Sequence, residues 1–419
     1  MNTPIEAPTP HPLTGGVGDT LPPCRALPEV PLSKVPEGYA VLLAHGFDSW
    51  QETAAMKLSQ AFVTRLDKAK DAARAEQAEA GDTVGVPFQL GAETLHMRPD
   101  GAKGGVRWVL AGADFLLLIR SPKMEWCVTV RYLAAGLWQY GVEELRHRVT
   151  MAFWAEDSHA FGDQHVFDHM KLRVSRADFA FDFHSPAFSA EFTPALAENV
   201  VTHSSSKVRQ KMLAGTFSRG GMGETLTIGS KAGLEVEVYD KTKEIREASG
   251  KDWMQTIWAP ALEGEVAEGD VWRLEIRMGK EFLRERDCWH YSDIVKHLPE
   301  LIAEALYTRR LARPKGGDTN RARWPLHPLW TLAYRARGAG HMRPLGKQIT
   351  MRRFQMDKQL NKQLAGTFIA AAVLAHGKAG REEIERMAER AVSYAISDDG
   401  RADKAARAKE RYRFLDEAV

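Results

Sequence analysis

Cysteine is scarce in this chain. Only Cys24, Cys127 and Cys288 occur in 419 residues, far apart and with no CxxC pair. That argues against a disulfide framework or a thiolate zinc site and fits a reducing cytoplasm. Long apolar runs are missing too: the longest, such as residues 368–375, fall well short of the roughly 18 residues of a membrane span. The opening MNTPIEAPTP has no basic segment leading into an apolar one, so no secretory signal is expected. None of the 14 histidines forms a His-x-His pair. Neither sign of charge is in marked excess overall, since the net charge is +2, but the distribution is uneven.

What is present is organised in three parts. Residues 1–36 hold nine of the 20 prolines and are expected to be a disordered tail. Residues 37–290 alternate strand-like and helical runs and make up the candidate catalytic domain. Residues 291–419 read as helical, basic and strand-free. Within the middle part, residues 39–46 predict a buried strand. Ala55, Leu58, Phe62, Leu66 and Ala69 recur at helical spacing and predict a helix over 50–80, with Asp48 or Ser49 as its N-cap and Gly81 as its stop. Strands are expected at 106–110, 115–120, 125–132, 172–183 and 271–278, and a helix at 133–147. Residues 185–223 read as loop.

The stretch ETLTIGSKAGLEVEVYDK, residues 224–241, reads as a hairpin: a strand over 225–228, a turn over 229–233 and a strand over 234–241. Side chains alternate along a strand, so Leu234, Val236 and Val238 share one face. Glu235, Glu237, Tyr239 and Lys241 share the other. In LRVSRADFAFDF, Phe179, Phe181 and Phe183 oppose Arg176, Asp178 and Asp182. In VWRLEIRM, Trp272, Leu274 and Ile276 oppose Arg273, Glu275 and Arg277. Three such strands suggest a sheet with one side packed on helices and the other lined by a polar site. Two bare carboxylates 4 Å apart repel by about 4 kcal/mol at an effective dielectric of 20. Such a cluster wants arginine partners or a cation, and oxygen ligands favour Mg²⁺ or Mn²⁺ over zinc. Asp178 and Asp182 are separated by roughly 13 Å on a straight strand, too far to share one ion without a bulge. A phenol beside acids and a cation has the makings of a nucleophile. At a pKa near 10 its full ionisation at pH 7 costs about 4 kcal/mol, which a base or a cation offsets. Lys241 and Arg176 are candidate contacts for phosphoryl oxygens.

These residues resemble the Rep_trans-type replication initiators, the rolling-circle initiators of small plasmids and filamentous phages. SRADFAFDF is similar to their R-x-D-x-x-x-D strand, TIGSKAGLEVEVYDK to their Gly-Ser-Arg/Lys … Tyr-Asp/Asn-Lys signature, and WRLEIR to the Arg-x-Glu strand that follows. The order agrees, over roughly residues 105–280. The resemblance implies Tyr239 as a nicking nucleophile assisted by Lys241, with Asp178, Asp182 and Glu275 as ligands of Mg²⁺ or Mn²⁺. It implies phosphate contacts from Arg176, Ser230, Lys231 and Arg273. One departure is Glu237, where many members carry arginine. His165 and His169, one helical turn apart, make a weaker metal candidate.

Between Tyr307 and Lys362 fourteen basic residues face two acidic ones, with Trp324, Trp330, Tyr334 and Phe354 interleaved. That composition suits phosphate-backbone binding and stacking on unpaired bases. Residues 360–376 and 381–396 suggest a helical pair for dimerisation or origin recognition. The expectation is an α+β protein: a mainly antiparallel central sheet with helices on one face, then a helical C-terminal region. The expected activity is metal-dependent nicking of an origin through a 5′-phosphotyrosine, in rolling-circle replication in the cytoplasm. Expected partners are origin DNA, double-stranded with a single-stranded nick region, with room for a host helicase and a homodimer, and no membrane. A relaxase acting on a transfer origin, or a non-catalytic DNA-binding protein, are the alternatives.

Overall fold

The computed structural model describes residues 30–80, 85–160, 171–202, 225–263, 267, 269–338, 353–398, 401–402 and 404–405. The proline-rich segment before residue 30, Gly81, and the pair His165 and His169 lie outside them. The strands are β1 (Val41–Ala55), β2 (Val86–Leu90), β3 (Glu93–Met97), β4 (Trp108–Ala111), β5 (Phe115–Ile119), β6 (Val128–Tyr132), β7 (Lys171–His184), β8 (Val200–Thr202), β9 (Thr225–Gly229), β10 (Leu234–Asp240), β11 (Val271–Gly279) and β12 (Arg309–Leu311). The helices are α1 (Gln60–Ala80), α2 (Ala134–Ala160), α3 (Pro186–Glu191), α4 (Lys241–Glu244), α5 (Met254–Trp258), α6 (Lys280–Arg284), α7 (Tyr291–Lys296), α8 (Leu298–Thr308), α9 (Pro328–Ala336), α10 (Arg353–His376) and α11 (Arg381–Ser397).

Ten strands pair in the order β2-β3-β4-β5-β6-β1-β7-β11-β10-β9, antiparallel at every step. With the helices on the sheet and the helical C-terminal region, the protein is α+β. One sheet face is apolar. Trp50, Tyr132, Phe179, Phe181, Leu274, Ile276, Val236 and Val238 bury there, under Phe62 and Leu66 of α1, Leu301 and Ile302 of α8, and Leu329 and Trp330 of α9. Alternation sends their neighbours to the polar face. The hairpin turns at Gly229, whose φ of +123° favours glycine and where a Cβ would meet Leu234 O at 2.1 Å. Helix α2 kinks at Gly141, which has φ 79°.

Several expectations are corrected. Residues 50–55 continue β1 rather than open a helix: Trp50 pairs with Tyr132 and with Ala177, and its ring is fully buried. Cross-strand burial on both sides overrides the helical spacing, which straddles a strand–helix junction. Asp48 and Ser49 therefore cap nothing, and Ser59 Oγ accepts the Phe62 N–H at 3.1 Å instead. Strands β2 and β3 were not expected, and β12, paired with β8, interrupts a region read as strand-free. No break in packing marks residue 291, because α8 and α9 share the main core. Residues 30–36, assigned to the tail, belong to the fold too: Val30 is buried, and Pro31 O accepts from Leu326 N at 2.8 Å. Among the described residues, no helix is long and apolar enough to cross a membrane.

Candidate active site

The three strands with a polar face are neighbours, and the register lines them up in rows. Asp182, Arg273 and Tyr239 form one row, Ala180, Glu275 and Glu237 the next, and Asp178, Arg277 and Glu235 the third. Strands β7 and β11 pair without a bulge over this span, so Asp178 and Asp182 stay two rows apart.

The phenol of Tyr239 donates to Glu275 Oε2 at 3.1 Å. Arg277 holds the other oxygen of that carboxylate, with Nε 2.9 Å from Oε1. The same guanidinium reaches Glu235 at 2.9 Å and Glu237 at 2.5 Å, so one cation sits amid three carboxylates. Thr227 Oγ1 donates to Glu237 Oε1 at 3.1 Å. Glu237, the departure from the resembled signature, therefore meets its arginine across the sheet. Burial pushes the Tyr239 phenol well above its ordinary value, and the Glu275 charge pushes it further, so the phenol is neutral at physiological pH. Burial raises Glu237 as well, against the pull of Arg277.

Arg273 is a second hub. It is fully buried, and Nε and Nη2 donate to the two oxygens of Asp182 at 2.7 and 2.8 Å. Nη1 donates to Asp48 Oδ1 at 2.6 Å. Trp258 Nε1 completes Asp182 at 2.9 Å, and Trp138 Nε1 completes Asp48 at 3.0 Å. Burial alone would raise Asp48, but the charges of Arg273, Lys251 and Lys241 and the Trp138 hydrogen bond together outweigh it and hold the carboxyl well below the usual range. Trp253, Met254, Ile257 and Trp258 cover this end of the polar face, over Ala44, Ala180 and Val271.

The expected residues thus divide. Tyr239 and Glu275 come together. Asp178 is held in a fork by Arg176, with Nε 2.9 and 2.8 Å from its oxygens. Burial, reinforced by the Glu275 charge, pushes Asp178 up to about 7. Lys241 is buried, with Nζ 2.5 Å from Glu244 and 5.7 Å from the centre of the Tyr239 ring. Burial lowers its pKa, and the Arg273 charge lowers it further. Arg273, expected on phosphate, is committed to two buried carboxylates. Ser230 and Lys231 are exposed at the turn end of β10, while Tyr239 lies five strand steps away, roughly 17 Å. Sequence reasoning missed Asp48, read as a helix cap, and the two indole donors.

The acids imply a divalent cation, and the donor set can be tested against one. Both oxygens of Asp182 are engaged by Arg273 and Trp258 in a fully buried place, so Asp182 does not fit as a ligand. Asp178 and Glu275 each carry an arginine. Among the described residues, no group of three or more His, Cys, Asp or Glu is arranged to hold a metal. The trio Asp178, Asp182 and Glu275 does not form a metal cage; three guanidinium groups supply the positive charge.

The expected basic C-terminal surface is only partly a surface. Arg310 is fully buried and donates to the carbonyls of Tyr307 and Ala322, both at 2.9 Å. Trp330 is core. Arg313, Lys315, Arg321, Arg323 and Arg335 are exposed. Arg343, Lys347 and Arg352 lie outside the described residues.

Fold and site together define an α+β chain with a tyrosine on an acidic and arginine-rich sheet face. No protein-family model matches it. It is similar to the uncharacterised protein ORF430 of Pseudomonas phage Pf1, 34% identical over 71 residues, a match covering 15% of this chain and 16% of that relative's length. It is also similar in structure to a rolling circle replication initiator protein from Geobacillus stearothermophilus, at 13% identity and a TM-score of 0.37, over 71% of this chain and 98% of that one.

Proposed function

We propose that the chain nicks and rejoins one DNA strand through Tyr239, as an initiator of rolling-circle replication at an origin. The observation that carries the reading is the hydrogen bond from the Tyr239 phenol to Glu275, a carboxylate itself anchored by Arg277. Nucleophile, base and orienting group in series are what covalent catalysis requires. Motif order along β7, β10 and β11 supports the same reading.

In the reaction, the phenolic oxygen of Tyr239 attacks the phosphorus of a DNA phosphodiester. Its proton passes to Glu275 as the O–P bond forms. The bond from phosphorus to the 3′ oxygen breaks, and that oxygen takes a proton from solvent. The products are a 5′-phosphotyrosine and a free 3′-hydroxyl, and the reverse reaction rejoins the strand. A base in place matters because free ionisation of a phenol with a raised pKa costs more than the ~4 kcal/mol of an ordinary one. General-base transfer contributes about 10²- to 10⁴-fold. Buried Lys241, with Nζ 5.7 Å from the ring centre, can serve a phosphoryl oxygen once Glu244 yields it.

The test uses 3′-end-labelled single strands of randomised sequence, incubated with the full chain in Mn²⁺ or in chelator and resolved on a denaturing protein gel. A labelled adduct that disappears in Tyr239→Phe supports the reading. An adduct unchanged in that variant removes Tyr239 from the reaction. No adduct under either condition, from a variant and wild type that both bind DNA, favours a DNA-binding protein without this chemistry.

A further inference from the structure

The polar face changes sign along the strands. The rows that hold Glu275, Glu237, Asp178 and Glu235 are followed by a row with no acid: Arg131 on β6, Gln51 on β1, Arg176 on β7 and Gly279 on β11, in that order across the sheet. Gln51 ties the row together. It accepts from Arg131 Nε at 3.4 Å and donates to Ser175 Oγ at 3.0 Å. Beyond Gly279 the row meets the hairpin turn, since Gly279 N donates to Gly233 O at 2.7 Å. A Cβ on Gly279 would stand 2.7 Å from Lys231 O. The exposed Lys231 therefore closes the row at its far end. One row further along β7, Arg173 pairs with Thr53 of β1, on the same face. Its guanidinium lies 4.4 Å from the ring centre of Trp126 and 5.2 Å from that of Trp289. Arg131 and Arg173 are exposed, and the side chain of Arg176 is 38% exposed even while it holds Asp178.

We propose that this band, Arg131, Arg176, Lys231 and Arg173 with Trp126 and Trp289, seats the single-stranded DNA whose phosphodiester reaches Tyr239. The inference rests on the nicking reading for its direction, and on charge for its occupant. A polyanion gains from the band and is repelled by the acidic rows, so the strand enters over the cations and only its reacting end crosses toward the tyrosine. Stacked tryptophan and arginine faces suit unpaired bases, which a duplex does not offer. The distance is right for a short single strand: Arg176 lies six strand steps from the Asp182–Arg273–Tyr239 row, roughly 20 Å. The band also gives the turn residues Ser230 and Lys231 a place on DNA that their distance from Tyr239 denies them at the reacting phosphate.

Fluorescence anisotropy with a labelled 20-nucleotide oligo-dT, the full chain and a salt series tests the band. Arg131→Ala/Arg173→Ala is expected to weaken binding at least tenfold. Its log–log salt slope should fall by about 1.4, two phosphate contacts at ~0.7 each. Lys68→Ala/Lys296→Ala removes the same charge from exposed sites elsewhere and is expected to bind like wild type. Arg131→Lys/Arg173→Lys should keep the slope, and thermal melts identify any variant that is unfolded. Equal weakening by both alanine pairs, or wild-type affinity and slope in Arg131→Ala/Arg173→Ala, overturns the proposal. A chain that binds through the band but forms no adduct in the labelling test sinks the nicking reaction and leaves the band standing.

Discussion

The Tyr239 phenol and the Glu275 carboxylate meet across the β10–β11 pair at 3.1 Å, one row out of register, while Glu275 itself lies opposite Glu237. Two acids face each other in the sheet, and the diagonal phenol and Arg277 make that tolerable. Like charges directly opposite destabilise a sheet, so each of the two groups that relieve them has a measurable role.

Glu275→Gln keeps the shape and an acceptor oxygen but loses the base. It is expected to slow adduct formation by about 10²- to 10⁴-fold while oligonucleotide binding stays within twofold. Single-turnover rates of adduct formation at pH 7 check this. Equal rates in both proteins would remove Glu275 from proton transfer.

Asp178 makes stability depend on pH in an unusual direction. Its folded pKa is pushed up to about 7 by burial, above the unfolded value. Between those two values the folded state holds a proton that the unfolded state has released. Stability from this group therefore falls as pH rises from about 4 to 7. Asp178→Asn carries no such proton. The melting temperature of wild type is expected to drop relative to the variant between pH 5 and pH 8. Parallel melting curves would show that Arg176 keeps Asp178 ionised throughout.

The site was half legible in the sequence, for a physical reason. Strands β7, β10 and β11 each display alternation, and alternation alone assigns Asp178, Glu275 and Tyr239 to one face. Register then follows from burying Phe179, Ile276 and Val236 together. Asp48 was not legible, because its meaning is a contact with Arg273, 225 residues away, and local spacing offered a helix cap instead. Arg310 misled in the other direction. A basic residue in a basic stretch reads as surface, but its donors end on backbone carbonyls of its own loop, a pattern with no sequence signature. Short β12 exists because β8 needs a partner, and three residues carry no periodicity to detect.

Arg277 stands where a divalent ion would otherwise neutralise Glu235, Glu237 and Glu275. Arg277→Ala leaves three largely buried carboxylates without their cation, and breaking such a cluster typically costs about 3–5 kcal/mol. Urea denaturation at pH 7 is expected to show a loss of that order. Added Mn²⁺ is expected to raise the melting temperature of Arg277→Ala and to leave wild type unchanged. If Mn²⁺ stabilises wild type as well, the arginine and the ion have separate seats, and the acids hold a metal beside the guanidinium.

Arg273 tests whether geometry or charge matters beneath the tyrosine. Its fork gives two parallel bonds to Asp182 and a third to Asp48. Arg273→Lys keeps the charge, but an ammonium cannot reproduce a planar fork. At least one buried acceptor is then left unsatisfied, at about 1–3 kcal/mol. Trp258→Phe, which removes one donor to Asp182, is expected to cost less than Arg273→Lys. The double variant should fall short of the sum, because both changes act on the same carboxylate. Urea melts of the three proteins measure this directly. Strict additivity would mean that Asp182 is held by something other than the pair that surrounds it.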